Sequence, residues 1–241
     1  MDRPGERRGS ARTAVVWEAL RGVLETGTSL DVVDIGGGTG GFAVRVAELG
    51  HRVSVVDPSP DALAALARRA RERDVEVAGL QGDLTSLVSV VGEASADLVL
   101  CHGVLEVVPD AGAALATIAA SLRPDGHLSL LVGQRTAAVL ARAMAGHFGQ
   151  ARGLLDETAP IGRSGRRFSA DEIERELAGA GFSTRAVHGV RVFTDLVPGS
   201  LLDLEPGATA ALVELEQAVA ERVDYRPLAT QLHYLASRST G

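Results

Sequence analysis

Two acidic residues stand where they could do chemistry, each at the end of an apolar run. Leu30-Asp31-Val32-Val33-Asp34-Ile35 is rich in β-branched residues, carries Asp34 near its end, and is followed by five glycines between Gly36 and Gly41. Such a turn between a strand and a helix can adopt φ > 0 without strain, and it lets a ligand approach bare backbone. About one β-α unit later, Arg52-Val53-Ser54-Val55-Val56-Asp57 ends in Asp57, whose carboxylate could take both hydroxyls of a ribose. Gly36-x-Gly38-x-x-Gly41 matches the dinucleotide fingerprint, with Asp57 near the expected spacing. Asp34 argues for a different ligand, because an acid beside the turn repels a pyrophosphate and attracts an ammonium group. A glycine turn that merely closes a β-α unit is the plain alternative.

Further candidates follow at the ends of later runs. Asp83, after Val75–Leu80, could accept from the exocyclic amine of an adenine, cap the helix near Leu84–Val91, or do both. His102, closing Ala96–His102, is either a base near the reacting group or a structural histidine at a strand end. Glu106 is either near the substrate or an acid at a helix N-terminus. Phe148 and Tyr225 could stack on a base or simply pack. Six scattered histidines and the single cysteine, Cys101, have no metal-ligand spacing, so no metal is expected.

The elements that position these residues alternate between strand and helix patterns. Strands are expected at Leu30–Ile35, Arg52–Asp57, Val75–Leu80, Ala96–His102 and His127–Val132. The helices between them are Phe42–Leu49, Pro58–Arg73, Leu84–Val91 and Ala111–Leu122. Single helices between strands imply a parallel sheet whose ligand lies beyond the C-terminal strand ends, where Asp34, Asp57, Asp83 and His102 sit. A helix over Ala14–Glu25, carrying Trp17, could cover the ligand, and residues 1–12 form a flexible arm. After the fifth strand the alternation breaks. Residues 133–168 hold one helical stretch, Thr136–Phe148, and a Gly-Arg-Ser-Gly-Arg-Arg loop at 162–167. This insertion sits above the ligand edge. Ser169-Ala170-Asp171-Glu172 is a capping box opening a helix to Ala180. Strands over Phe182–Phe193 and Thr230–Ser237, with a helix over Pro206–Val223 between them, complete one domain spanning 13–241.

Composition narrows the function classes. The chain has 241 residues, 46% of them hydrophobic, enough for one full α/β core. No apolar run approaches the roughly 20 residues a membrane helix needs, and the charged N-terminus lacks the apolar stretch of a signal peptide. A cytoplasmic protein with no membrane partner is expected. A net charge of −7 argues against a general nucleic-acid binder. Yet residues 135–191 hold nine arginines against six acids. A basic insertion on an acidic body could meet an anionic acceptor, although a solvated arginine-rich surface would look the same. Within it, Arg163, Arg166, Arg167 and Arg191 are the candidates for phosphate or carboxylate.

Asp34 with Gly36–Gly40 resembles the first motif of class I S-adenosylmethionine (SAM) methyltransferases. So does the turn Leu122-Arg123-Pro124-Asp125-Gly126. From about Arg12 to Ala236 the chain resembles, more narrowly, the tRNA 5-carboxymethoxyuridine methyltransferase family, a branch of the type-11 methyltransferases. The matching segments include Ala47-Glu48-Leu49-Gly50-His51, His102-Gly103-Val104-Leu105-Glu106, Met144-Ala145-Gly146-His147-Phe148, Gly189-Val190-Arg191-Val192-Phe193, Glu214-Leu215-Glu216 and His233. The resemblance implies a Rossmann-like, doubly wound, mostly parallel seven-stranded sheet with an antiparallel last strand. It implies SAM as cofactor, with Arg12 on its carboxylate and Asp57 on its ribose, and with Asp34, Gly36, Gly38, Gly40, Asp83 and His102 around it. The implied acceptor is the carboxylate of a wobble uridine in a tRNA anticodon loop. Departures fall on the substrate side. The family's Asn-containing segment is here Gly133-Gln134-Arg135-Thr136, its lysine-rich loop is arginine, and Thr230 replaces a basic residue. A small-molecule carboxyl or hydroxyl methyltransferase is therefore the second reading. An NAD-dependent oxidoreductase and a silent SAM-binding protein come after it.

Overall fold

Seven strands form one sheet, and each begins or ends within a few residues of where the apolar runs place it. They are β1 (Asp31–Ile35), β2 (Arg52–Asp57), β3 (Val77–Gln81), β4 (Ala96–His102), β5 (Leu122–Gly133), β6 (Phe182–Val190) and β7 (Gln231–Arg238). The structure is a computed structural model that describes residues 4–156, 165–204 and 207–239. Sheet order is β3-β2-β1-β4-β5-β7-β6. β7 runs antiparallel to both β5 and β6, and the remaining pairs are parallel.

Ten α-helices accompany the strands among the described residues. They are α1 (Pro4–Leu24), α2 (Ala43–Glu48), α3 (Pro60–Glu72), α4 (Leu87–Val91), α5 (Ala111–Ser121), α6 (Arg135–Met144), α7 (Phe148–Gly153), α8 (Ala170–Gly179), α9 (Gly199–Leu204) and α10 (Ala208–Val219). α1 starts well before the expected boundary, so residues 4–12, read from sequence as a flexible arm, are helical. A proline at the first helical position lacks only an N–H that would have no partner there. The stretch expected as one helix over Thr136–Phe148 is two, broken at Gly146, which has φ +75°.

Period-two alternation along the strands decides which side chains meet. Val33, Ile35, Val99, Cys101, Leu128 and Leu130 pack under α4, α5 and α8. Val32, Val53, Val55, Leu98 and Leu100 pack under α1, α2 and α3. Asp34 and His102 have the parity of the second set, so both lie on the α1 face at the C-terminal edge. At the opposite edge the Leu-Arg-Pro-Asp-Gly turn is absorbed into β5. Its register jumps from Leu122 opposite Ala96 to His127 opposite Leu98. Arg123 there pairs with Asp31 at 2.8 Å and Asp97 at 2.7 Å, tying the starts of β1 and β4.

Beyond β6 the chain is shaped by one buried carboxylate. Glu216 of α10 is fully buried and accepts from the backbone N–H groups of Val192, Phe193 and Thr194 at 2.9, 2.9 and 2.7 Å. The Thr194 hydroxyl adds a fourth bond at 2.6 Å. Glu216→Ala removes every acceptor from this nest. Each orphaned buried donor costs about 1–3 kcal/mol, so the variant is expected to lose roughly 3 kcal/mol or more. Urea unfolding should show the midpoint falling with an unchanged m-value; a loss under about 1 kcal/mol would mean water replaces the carboxylate.

Candidate functional site

The glycine turn folds across the C-terminal ends of β1 and β2, and the room around it explains its composition. Gly36, Gly38 and Gly40 have φ of +65°, +54° and +78°. A Cβ at Gly36 would lie 2.6 Å from Val104 Cγ2, and one at Gly37 would lie 2.6 Å from the Asp34 carboxyl carbon. At Gly40 it would run into Leu66. Asp57 fastens the turn from β2. Its Oδ2 accepts from Gly38 N at 3.0 Å and its Oδ1 from Ser59 N at 2.8 Å. Each oxygen keeps a lone pair for a ligand.

Asp34 sits behind this turn, 3% exposed, with no cationic partner among the described residues. Burial pushes its carboxyl up to about 7, and the negative charge of Asp57 adds to the effect. Two acids close together at a strand edge, one of them without a cation, fit a ligand that brings positive charge and hydroxyl donors. A dinucleotide pyrophosphate would add negative charge to the same place.

His102 stands beside the turn at the end of β4. Its ring meets Phe42 edge to face at 4.8 Å, and Phe42 stacks on Trp17 of α1 at 4.8 Å. Nε2 is 2.9 Å from Ser129 Oγ, while Nδ1 is buried with no partner among the described residues. Burial lowers the imidazole to about 4, so it is neutral at pH 7. Glu106 follows in a 3₁₀ turn over Leu105–Val107. Its Oε1 accepts from Gly133 N at 2.7 Å, holding the end of β5, and burial raises its carboxyl above the usual range.

The structure gathers some of the sequence candidates and disperses others. Asp34, Gly36, Gly38, Gly40, Asp57 and His102 come together. Asp83 anchors the turn into α4. Its Oδ1 accepts from Thr85 N, Thr85 Oγ1 and Ser86 N at 2.9, 2.6 and 3.0 Å, and these bonds hold its carboxyl below the ordinary value. The expected cap is not realised as such: α4 begins at Leu87 with Ser86 at its N-cap and no side-chain cap bond, and Asp83 instead closes the turn that precedes it. Arg12 lies on α1 with its side chain outside the described residues, and Arg163 lies outside them altogether.

The other insertion arginines are engaged with protein groups rather than presented to a ligand. Arg166 pairs with Glu172 and lies over Phe168 at 4.9 Å. Arg167 donates to the Arg166 carbonyl at 2.9 Å and packs against Gly133. Arg191, at φ +61°, pairs with Asp195 at 2.5 Å. Half-buried guanidinium groups require carboxylate or carbonyl acceptors, and Glu172 supplies them to Arg166 and Arg135 while also closing its capping box. The sequence marked Glu172 only as a cap. Phe42 and Ser129 were not singled out; strand parity was the signal that could have found Ser129.

A methyltransferase-domain family model matches residues 32–126. The chain is 30% identical over 249 residues to the tRNA 5-carboxymethoxyuridine methyltransferase of Escherichia coli strain K12, covering 97% of this chain and 90% of that protein. It is 35% identical over 175 residues to a ubiquinone biosynthesis O-methyltransferase of Methylocella silvestris, covering 70% and 64%. A solved S-adenosylmethionine-dependent methyltransferase from Mesorhizobium loti superposes with a TM-score of 0.63 at 22% identity, over 95% of this chain and all of that one.

Asp34 connects this geometry to a measurement. The folded protein holds the Asp34 proton up to about pH 7, whereas an ordinary aspartate loses it near 3.8. Stability of the SAM-free protein should therefore fall as pH rises between those values and stay low above them. Asp34→Asn should be more stable than wild type at pH 8, by on the order of 4 kcal/mol, with the gap closing below pH 4. SAM affinity should move the other way and weaken. A variant less stable than wild type at pH 8 would mean the carboxylate has a partner in the free protein. The strand-end acids, the glycine turn between them and the near end-to-end likeness to a known relative lead to one conclusion: the chain belongs to the class I SAM-dependent methyltransferases.

Proposed function

We propose that this methyltransferase acts on the carboxylate of 5-carboxymethoxyuridine in tRNA, forming a methyl ester. The observation that supports this is the likeness to the Escherichia coli relative over 97% of the chain, which runs through the insertion and the last strands as well as the glycine turn. SAM supplies an electrophilic methyl group when bound. In this reading Asp57 takes the ribose hydroxyls, Asp34 faces the ammonium, and Gly36, Gly38 and Gly40 give the ligand access to backbone. Arg12 takes the SAM carboxylate, Asp83 turns its second oxygen to the adenine amine, and His102 lines the wall near the methyl group. A carboxylate acceptor is ionised at neutral pH, so positioning carries the reaction and no base is needed.

The acceptor side in this reading is the α6–α7 elbow. Phe148 is 71% exposed at the start of α7, with Arg142 in the last turn of α6 before it and Arg152 in the last turn of α7 after it, which suits a base stacked on the ring and phosphates held nearby. These two arginines replace Arg166, Arg167 and Arg191 as the phosphate-binding groups, because the latter are held by protein acceptors; Arg163 stays a candidate. A hydroxyl acceptor on a small molecule is the second reading, favoured by the likeness to ubiquinone O-methyltransferases and by the neutral His102.

Labelled SAM incubated with tRNA from a strain lacking the methyl ester tests the first reading, with nucleoside mass spectrometry to locate the label. The ester of 5-carboxymethoxyuridine is expected. Arg142→Ala with Arg152→Ala should raise the KM for tRNA and leave SAM affinity unchanged. It should also lower the log–log salt slope by roughly 0.7 to 0.9 for each phosphate that is no longer neutralised. Label confined to small molecules would sink the tRNA reading.

A further inference from the structure

Four polar side chains cross the α1 face of the sheet in a line, one from each of β4, β5, β7 and β6. His102 Nε2 is 2.9 Å from Ser129 Oγ, and Ser129 Oγ is 2.8 Å from His233 Nε2. His233 Nδ1 is 3.1 Å from His188 Nδ1, and His188 Nε2 is 3.6 Å from Glu221. Strand register builds this line. His102 lies opposite Leu131, Leu131 opposite His233, and His233 opposite His188, with Ser129 one step back on the same face. Ser129 and His233 are fully buried. The outer end differs, because the Glu221 side chain is 80% exposed. There the line meets a cleft of about 490 Å³ lined by Val15, Glu18, Ala19, His188, Glu221 and Leu235.

Counting donors gives the line a direction. A carboxylate at Glu221 favours N–H on His188 Nε2, which leaves His188 Nδ1 as acceptor. His233 must then donate from Nδ1 and accept at Nε2. The Ser129 hydroxyl donates to His233 and accepts from His102 Nε2–H. His102 Nδ1 is left as a bare lone pair. The inner end agrees independently. Nδ1 is the buried atom without a partner, and a buried lone pair is tolerated better than a buried orphaned N–H.

We propose that His102, Ser129, His233, His188 and Glu221 form a proton outlet from the methyl-transfer edge to the α1–α10 cleft, which makes the site competent for a hydroxyl acceptor. This goes beyond the carboxylate reading, since a carboxylate arrives without a proton and makes no use of an outlet. The acceptor oxygen forms the bond to the donated methyl, the electron pair of the broken carbon–sulfur bond stays on sulfur, and the acceptor's proton goes to His102 Nδ1. His102 passes its Nε2 proton to Ser129, Ser129 its proton to His233 Nε2, and His233 its Nδ1 proton to His188 Nδ1, while the Nε2 proton of His188 leaves into the cleft, drawn by the Glu221 carboxylate 3.6 Å away. Every ring ends neutral with its tautomer reversed. Once product leaves and water reaches His102, the reverse shift resets the line.

Burial lowers the basicity of His102, His233 and His188 alike, so an imidazolium is disfavoured at each of them. A lone histidine in this setting would be a poor base; a line that never stores the charge avoids that limit. The charged groups bearing on its outer end are Glu221 and Glu18, which favour an emerging proton, and Arg226, which opposes it.

Two measurements test the outlet. Nitrogen-15 histidine spectra of the SAM-free protein should show His102 and His188 protonated on Nε2 and His233 on Nδ1; the opposite set overturns the proposal. Catechol serves as hydroxyl probe, and tRNA bearing 5-carboxymethoxyuridine as carboxylate probe. Wild type should methylate catechol. Ser129→Ala should lower the ratio of catechol to carboxylate turnover about 100-fold, the scale of general-base catalysis. The surface change Glu221→Gln should lower the same ratio by a smaller factor and flatten its rise with pH. No catechol transfer by wild type, or equal loss on both acceptors in Ser129→Ala, overturns it. Failure on tRNA alone, with the catechol and tautomer results intact, sinks only the tRNA reading.

Discussion

The C-terminal edge of β1 and β2 is organised by a buried carboxylate, Asp34, that has no cationic partner among the described residues. Asp34 is held at the end of β1 by strands on both sides, with no room to turn toward water and no arginine within reach among the described residues. The glycine turn exists in its present form because Asp34 occupies the space a side chain at Gly37 would need. Asp57 in turn needs the Gly38 N–H. Acid, turn and second acid are mutually dependent, and together they form a negative cradle. Such a cradle is costly when empty, and a cation placed in it would relieve that cost.

Elsewhere the chain uses carboxylates in the opposite way, as anchors for protein donors, although Glu106 commits only Oε1 and leaves Oε2 buried without a partner among the described residues. Glu172 holds Arg135, Arg166 and the start of α8. Glu216 holds the turn after β6, and Glu106 holds the end of β5. These three side chains fix the insertion and the last strands against the sheet. They also account for why the arginine-rich loop offers less free positive charge than its composition suggests. Charge counted along the chain says nothing about which guanidinium groups are already paired. Arg142 and Arg152 are in the last turns of α6 and α7, and neither side chain has a hydrogen bond or ion pair among the described residues.

The strands and the glycine turn between β1 and α2 were legible because both depend on local patterns. Ala96–His102 matches β4 residue for residue, and the Ser169 capping box opens α8 as the spacing required. Asp34, the glycines and Asp57 were legible for the same reason: strand–turn–helix geometry is set by adjacent residues. Helix limits were less so. α1 runs back to Pro4, and the break at Gly146 divides a helical period that continues on either side. The arginine pairings were illegible, since Glu172 takes Arg166 and the distant Arg135 at once, a choice made by the tertiary fold.

The histidine line shows what pairing adds beyond pattern. His102, Ser129, His188 and His233 are scattered over 131 residues, and nothing in their spacing joins them. They meet because β7 inserts antiparallel between β5 and β6. That arrangement brings a residue near the C-terminal end of one strand beside residues near the N-terminal end of the next. In a wholly parallel sheet His233 would stand at the far edge from His102. The reversed last strand therefore has a chemical consequence: it carries a polar row from the methyl-transfer edge sideways under α1 to the outermost strand. A hydrophobic row there would avoid burying imidazoles; here the three rings and Ser129 meet that cost by hydrogen-bonding to one another.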